Sequence, residues 1–226
     1  MITVFLPCRL GSQRIPNKNT KAFVKKNMSL LSVKLNQLIK VKNIDQIVVS
    51  TNDPTVINLT KKISENIIID IRPDKLALST TSTDELIKYV PKIITQGHIL
   101  WTHTTSPFLN EEIYEKTIDL YFNLLEKNSY DSLMTVNTLQ TFLWNYKGSL
   151  NYDRHKEKWP RTQTLKKVFE VNSGIFINSI KNYNKYEDRI GNKPFLYELD
   201  GYASFDIDWP KDFDLAELIF KKINRK

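Results

Sequence analysis

A single cysteine, Cys8, excludes an intrachain disulfide framework and any cysteine-based metal site. The three histidines, His98, His103 and His155, are scattered, so a histidine zinc cluster is not expected. Long apolar runs are missing as well. Met1-Ile2-Thr3-Val4-Phe5-Leu6-Pro7 is cut short by Arg9, too early for a secretory leader or a membrane span, and a cytoplasmic protein without membrane insertion is expected. Neither common glycine signature for phosphate occurs: no Gly-Lys-Ser/Thr follows a four-residue spacer, and the six glycines form no Gly-x-Gly-x-x-Gly. Acidic residues are in the minority, 25 against 33 basic, for a net charge of +8. That balance suits nucleic acid, an anionic membrane surface or small anionic substrates, and a solvated lysine-rich surface would give the same count.

What is present reads as α/β. No repeat, low-complexity tract or linker divides the 226 residues, a length that fits one compact domain. Short β-rich runs alternate with helical patterns, the signature of a mainly parallel sheet covered by helices on both faces. The expected strands are Ile2–Leu6, Gln46–Ser50, Ile67–Ile71, Ile99–Thr102, Ser132–Val136, Gly174–Ile177 and Tyr202–Ile207. Leu31, Leu35, Leu38 and Ile39 recur at helical spacing, as do Ile113, Thr117, Leu120, Tyr121 and Leu124. Asp53-Pro54 supplies a cap and a first-turn proline for another helix. Residues 138–161, with Trp144, Tyr146, Tyr152, Trp159 and Pro160, form the least regular stretch.

Two constellations carry chemistry. Arg9-Leu10-Gly11-Ser12-Gln13-Arg14-Ile15-Pro16-Asn17-Lys18-Asn19 follows the first strand and packs three cations, a hydroxyl and a glycine into one turn. Backbone amides and Ser12 can donate to phosphate oxygens, while Arg9, Arg14 and Lys18 neutralise polyphosphate charge. An ordinary basic surface turn is the alternative. The second constellation is Asp206-Ile207-Asp208. If it ends a strand, both carboxylates face one way and Ile207 enters the core. Two hard oxygen ligands with room for phosphate oxygens suit Mg²⁺. Ligands of open α/β sheets sit at the carboxyl ends of strands, where Arg9 also emerges, so the two segments are expected to form one site.

Pro7 through Asn19, read P-C-R-L-G-S-Q-R-I-P-N-K-N, resembles the first motif of the cytidylyltransferases that make CMP-sialic acid and related CMP-nonulosonic acids, A-R-x-G-S-K-x-I-P-x-K-N. Further matches follow in family order: Ser50-Thr51-Asn52-Asp53, Arg72-Pro73 with Leu76-Ala77, Thr105-Ser106-Pro107, Pro160-Arg161-Thr162-Gln163, Asn172-Ser173-Gly174 and Asp206-Ile207-Asp208. The resemblance covers nearly the whole chain. It implies one Rossmann-like nucleotidyltransferase domain over residues 1–226, with the 138–161 excursion forming a homodimer and reaching the partner's site. It implies that CTP and an acidic sugar react, the sugar hydroxyl displacing pyrophosphate from the α-phosphate, with Mg²⁺ as cofactor and no nucleic acid partner. Arg9, Lys18, Asp206 and Asp208 are then catalytic. Arg9, Leu10, Gly11, Ser12, Arg14, Lys18, Asn19, Arg72 and Ser82 surround the nucleotide, Ser82 also being a sugar-side candidate. His103, Thr104, Thr105, Ser106, Arg161 and Gln163 belong to the sugar, with Arg161 for its carboxylate; Asp206 and Asp208 hold the metal.

The sequence departs from the family pattern mainly on the sugar side. Gln13 stands where a lysine is usual, and Ser79 where an acid is frequent. His103-Thr104 replaces Gln-Pro, and no lysine lies near Thr141. His103 is either a satisfied strand-end histidine or a substrate contact. N-acetylneuraminic acid is therefore expected to be a poor substrate. Synthesis of CMP-Kdo or of another CMP-linked acid is an alternative of the same chemistry, and a catalytically silent nucleotide- or anion-binding protein is an alternative of another class.

Overall fold

The computed structural model describes residues 1–224; the last two positions of the expected domain, 225–226, lie outside the described residues. The main sheet contains seven strands: β1 (Ile2–Pro7), β2 (Gln46–Thr51), β3 (Ile68–Ile71), β4 (His98–Thr102), β5 (Ser132–Leu139), β6 (Val168–Ser179) and β7 (Pro194–Leu199). Its order is β3-β2-β1-β4-β6-β5-β7. Every neighbouring pair is parallel except the two that involve β6, which runs antiparallel to both β4 and β5. The expected mainly parallel sheet is thus observed, with one reversed strand.

Helices cover both faces. In β1 the side chains alternate, so Ile2, Val4 and Leu6 meet α1 (Leu30–Leu38), α2 (Pro54–Ile63) and α4 (Glu111–Glu126) through Leu31, Leu35, Val56, Tyr114 and Tyr121. Phe5 points the other way, into a cluster with Trp101, Phe176 and the residues Leu86, Ile87 and Val90 of α3 (Thr83–Ile93), joined by Tyr183 of α5 (Ile180–Tyr186). The helical spacing in α1 and α4 is used as expected, except that Ile39 caps α1 and is exposed. Asp53 caps α2, accepting from the Thr55 amide at 2.8 Å, and Pro54 opens the helix.

Two expectations are corrected. Tyr202–Ile207 is no strand: Gly201–Ser204 forms a 3₁₀ turn and the chain runs on irregularly into α6 (Pro210–Ile223). Its apolar residues are spent on packing instead of pairing, since Tyr202 and Phe205 lie against Phe108 and Ile207 is buried beside Ile15 and Phe213. The seventh strand is Pro194–Leu199, which pairs with β5. The stretch 138–161 also begins more regularly than expected, because Thr138 and Leu139 still belong to β5; beyond them come a short hairpin, Trp144–Asn145 with Gly148–Ser149, and turns.

β6 is longer than the expected Gly174–Ile177 and carries a bulge. Its pairing with β5 jumps between Val171↔Val136 and Phe176↔Met134, leaving Asn172, Ser173 and Gly174 as extra residues. The buried Thr135 hydroxyl donates to Asn172 Oδ1 at 2.7 Å and accepts from the Ile175 amide at 2.9 Å. Ser173 is left-handed at φ 58°, and a Cβ on Gly174 would meet Thr135 Oγ1 at 3.0 Å.

Candidate functional site

The basic loop leaves β1 at its carboxyl end and is held at several points. Cys8 N donates to Ser50 O and Leu10 N to Asn52 Oδ1, both at 2.9 Å, which ties the loop to β2 and its extension. Gly11 takes φ 79° and Asn17 φ 53°, backbone conformations suited to glycine and tolerated by asparagine. Between them Ile15 drops into a core formed with Phe23, Leu30, Ile207 and Phe213. This apolar plug makes the loop double back, so that Arg14 and Lys18 return to the sheet edge. Lys18 Nζ donates to Ile207 O at 2.9 Å; Arg14 Nη2 pairs with Asp208 Oδ1 at 2.8 Å while its guanidinium lies 5.0 Å from the Trp209 ring centroid. Burial lowers the Lys18 pKa, opposed by the charges of Asp206 and Asp208.

Asp206 and Asp208 therefore do meet the basic loop, although no strand presents them. An irregular segment does so, anchored by Ile207 N donating to Thr105 O at 2.9 Å. Asp206 Oδ1 is buried without a hydrogen-bond partner. Burial holds this carboxyl above its ordinary range; the Thr105 hydroxyl and Lys18 pull it down, and the Asp208 charge adds to the rise. A buried carboxylate oxygen with no donor, next to a second carboxylate, fits a hard cation. Among the described residues no three His, Cys, Asp or Glu side chains cluster as a metal cage, so further ligands would have to come from substrate or solvent.

Two cavities adjoin here and share Pro7, Arg9 and His103. One, of about 470 Å³, is lined by Ser12, Gln13, Arg14, Lys18, Asn19, Thr104 and Thr105 besides the shared residues. The other, of about 300 Å³, is lined among others by Arg72, Leu76, Ser82, Ser173 and Arg189. Arg72 is 3% exposed and is fixed by Ser50, its Nε donating to the hydroxyl at 3.1 Å and Nη2 to the carbonyl at 2.7 Å. Ser82 caps α3, accepting from the Glu85 amide at 3.1 Å. Thr104 Oγ1 donates to Asn19 Oδ1 at 2.8 Å, joining the loop after β4 to the basic loop.

His103 separates the two cavities with both ring nitrogens in use. Trp101 Nε1 donates to Nε2 at 3.0 Å, so Nδ1 carries the proton and donates to Ser173 O at 2.8 Å. Burial lowers its pKa to about 4, so the ring is neutral at physiological pH. It is a satisfied wall, held by the bulge of β6, with no free nitrogen for a ligand.

Not every candidate meets the cavities. Leu10 and Gly11 shape the loop without lining either one. Ser106 is buried beneath, its carbonyl accepting from Lys34 Nζ at 2.8 Å. Arg161 and Gln163 are exposed at a 3₁₀ turn (Thr162–Thr164) and line neither cavity. Arg189 and the fully buried Lys34 escaped the sequence reading, because neither stands in a motif and only the fold brings them here.

Residues 3–224 match the model of a protein family described as cytidylyltransferase. The chain is 25% identical to an N-acylneuraminate cytidylyltransferase of Escherichia coli, over 100% of this chain and 53% of that protein; it spans about half the length of that relative. It is 21% identical to a pseudaminic acid cytidylyltransferase of Campylobacter jejuni, over 96% of this chain and 94% of that protein. Among solved structures, a CMP:2-keto-3-deoxy-manno-octonic acid synthetase complexed with CTP superposes with a TM-score of 0.67 at 14% identity, covering 98% of this chain and 99% of that one. A 4-diphosphocytidyl-2C-methyl-D-erythritol synthase from Anaerococcus prevotii gives 0.64 at 16% identity, covering 97% and 96%. At these identities the structural likenesses speak for the fold.

Proposed function

Since the chain belongs to the cytidylyltransferase family, we propose that it joins the cytidylyl group of CTP to the hydroxyl of a nonulosonic, sialic-acid-like sugar acid and releases pyrophosphate. The observation that carries this reading is the pair of adjoining cavities that share Arg9, one walled by the cationic loop beside two aspartates and the other by the buried Arg72. Triphosphate fits the first, where Arg9, Ser12, Arg14 and Lys18 supply donors and positive charge. The base fits the second, between Arg72, Leu76 and Ser82, in a space of about 300 Å³ that suits a pyrimidine. The reacting hydroxyl approaches the α-phosphorus in line from the side of Thr104 and Thr105, and pyrophosphate leaves toward the basic loop.

Asp206 and Asp208 would hold Mg²⁺ together with phosphate oxygens; when bound, it supplies charge neutralisation on the phosphates and a lower pKa for the attacking hydroxyl. Arg14 then exchanges its carboxylate for phosphate oxygens. Because His103 offers no free ring nitrogen, the sugar is read by other groups, which supports altered selectivity against N-acetylneuraminic acid. The excursion after β5 is where a second copy docks, and only by such docking would Arg161 and Gln163 meet a sugar.

The test is pyrophosphate release with CTP or ATP, Mg²⁺ and a panel of N-acetylneuraminic, legionaminic and pseudaminic acids and Kdo. CTP should be strongly preferred, since a cytosine-sized pocket cannot take a purine without moving its walls. One acid other than N-acetylneuraminic acid should lead in kcat/KM, by about a hundredfold where a polar contact is lost. Asp208→Asn should lower turnover by roughly a hundredfold or more without unfolding the protein. Equal use of CTP and ATP, or full activity of Asp208→Asn at saturating Mg²⁺, would refute the reading.

A further inference from the structure

Two polar side chains of α1 reach under the site without touching either cavity. Lys34 is fully buried, and among the described residues it has no carboxylate within ion-pairing distance. Its Nζ donates to Ser106 O and to the Tyr114 hydroxyl, each at 2.8 Å. Gln37 follows three residues later on the same side of the helix; its Nε2 donates to Pro107 O at 2.7 Å, while its Oε1 is buried without a partner. Both residues are costly on a helix that packs against a sheet. A buried amine and an unpaired amide oxygen each give up hydration that apolar side chains of similar length would not. Their common target is two consecutive carbonyls of the loop after β4.

That loop joins both halves of the site. Thr104 Oγ1 donates to Asn19 Oδ1 at 2.8 Å, and Asn19 O accepts at 3.0 Å from the Leu31 amide of the same helix. Thr105 O accepts from Ile207 N at 2.9 Å, the contact that anchors the irregular segment carrying Asp206 and Asp208. The loop does little to hold itself: Pro107 has no N–H to give, and Leu109 N reaches Ser106 O only at 3.4 Å. With neither a pleat nor a helix to fix them, the two carboxylates are placed only as firmly as the loop from which they hang. We propose that Lys34 and Gln37 are positioning residues: by fastening the Ser106 and Pro107 carbonyls to α1 they hold Thr105, and through Ile207 the Asp206 and Asp208 carboxylates, in the arrangement that takes a divalent cation together with the triphosphate. This inference rests on the cytidylyl-transfer reading above, which gives those carboxylates to the metal.

Calorimetric titration with CTP in the absence of sugar acid, once in EDTA and once in saturating Mn²⁺, separates the placement of the carboxylates from the rest of the site. The wild type should bind CTP about tenfold tighter or more with Mn²⁺, and Lys34→Met should lose most of that gain while staying within about twofold of wild type in EDTA. Gln37→Met releases the outer carbonyl alone and should lose about threefold of the gain, the range of one neutral hydrogen bond; it decides the matter if Lys34→Met does not fold. Tyr114→Phe removes the other acceptor of Lys34, leaves Ser106 in place, and should keep the gain. A full gain in the α1 variants overturns the inference and leaves cytidylyl transfer standing. So does an equal loss of CTP affinity in EDTA, which would mark a general brace, or a gain lost in Tyr114→Phe as well. Wild-type CTP binding indifferent to Mn²⁺ removes the metal site and its supports together, and pyrophosphate release with the sugar-acid panel then decides cytidylyl transfer by itself.

Discussion

Lys34 lies on α1 with no solvent exposure, and its ammonium donates to Ser106 O and Tyr114 OH, each at 2.8 Å. Tyr114 in turn bonds Thr102, whose hydroxyl donates to Gly174 O, so a polar chain runs beneath the site from α1 to the bulge of β6. Burial lowers the Lys34 pKa from 10.5 to about 7, against the pull of Asp206. Between those two values the unfolded chain holds a proton that the native chain has released, so the Lys34 contribution to stability rises with pH across the window and is lowest below 7. Lys34→Met removes this slope. Urea melts should show the variant gaining on wild type near pH 6.5 and losing that gain by pH 9.5; a difference constant across this range would mean that Lys34 is not titrating there. Lys34 and Arg189 were illegible in the sequence because each is isolated among unremarkable neighbours. The loop from Arg9 to Asn19 was legible because its cations, hydroxyl and glycine are contiguous and follow a strand.

The bulge of β6 acts as an element in its own right. It places the Ser173 carbonyl where His103 must donate to it, and it depends on Thr135 for two hydrogen bonds. Thr135→Val keeps the shape but leaves the Ile175 amide without a partner and Asn172 Oδ1 with the Gly174 amide alone. The cost should be about 1–3 kcal/mol of stability by urea denaturation, with an accompanying loss of kcat/KM as His103 loosens. Unchanged stability would show that the bulge holds without Thr135. Short β-rich runs between helical patterns revealed six of the seven strands. The reading failed at Tyr202–Ile207 because the apolar residues Tyr202, Phe205 and Ile207 pack on Phe108 and Ile15 from a 3₁₀ turn and an irregular segment and pair with no strand. β7 was missed because Pro194 opens it at the sheet edge and its flanks are turn residues. The Asp206 and Asp208 pair was placed correctly beside Lys18 for a wrong geometric reason: Ile207, buried in the core, sets their position, not a strand's pleat.

At the scale of the whole molecule the least self-sufficient part is the excursion beyond β5. Trp144 is 48% and Trp159 64% exposed, their rings stacked at 6.5 Å with Arg154 against both. Val168, Phe169 and Val171 of the neighbouring strand end are exposed as well. An apolar patch of this kind on a basic protein calls for a partner, and a second copy of the chain is the expected one. Light scattering at micromolar concentration should give a dimer, which Trp159→Glu should dissociate; an active wild-type monomer would refute the expectation. Sequence composition pointed to this segment through its aromatics, yet not to its hairpin, whose strands are two residues each. The four tryptophans fall into two separate groups. Trp101 touches His103 and Trp209 lies under Arg14, whereas Trp144 and Trp159 belong to the excursion. On the proposed reading, intrinsic fluorescence should carry two optical channels, one for nucleotide arrival and the other for assembly, and paired Trp→Phe variants would show in real time which event comes first.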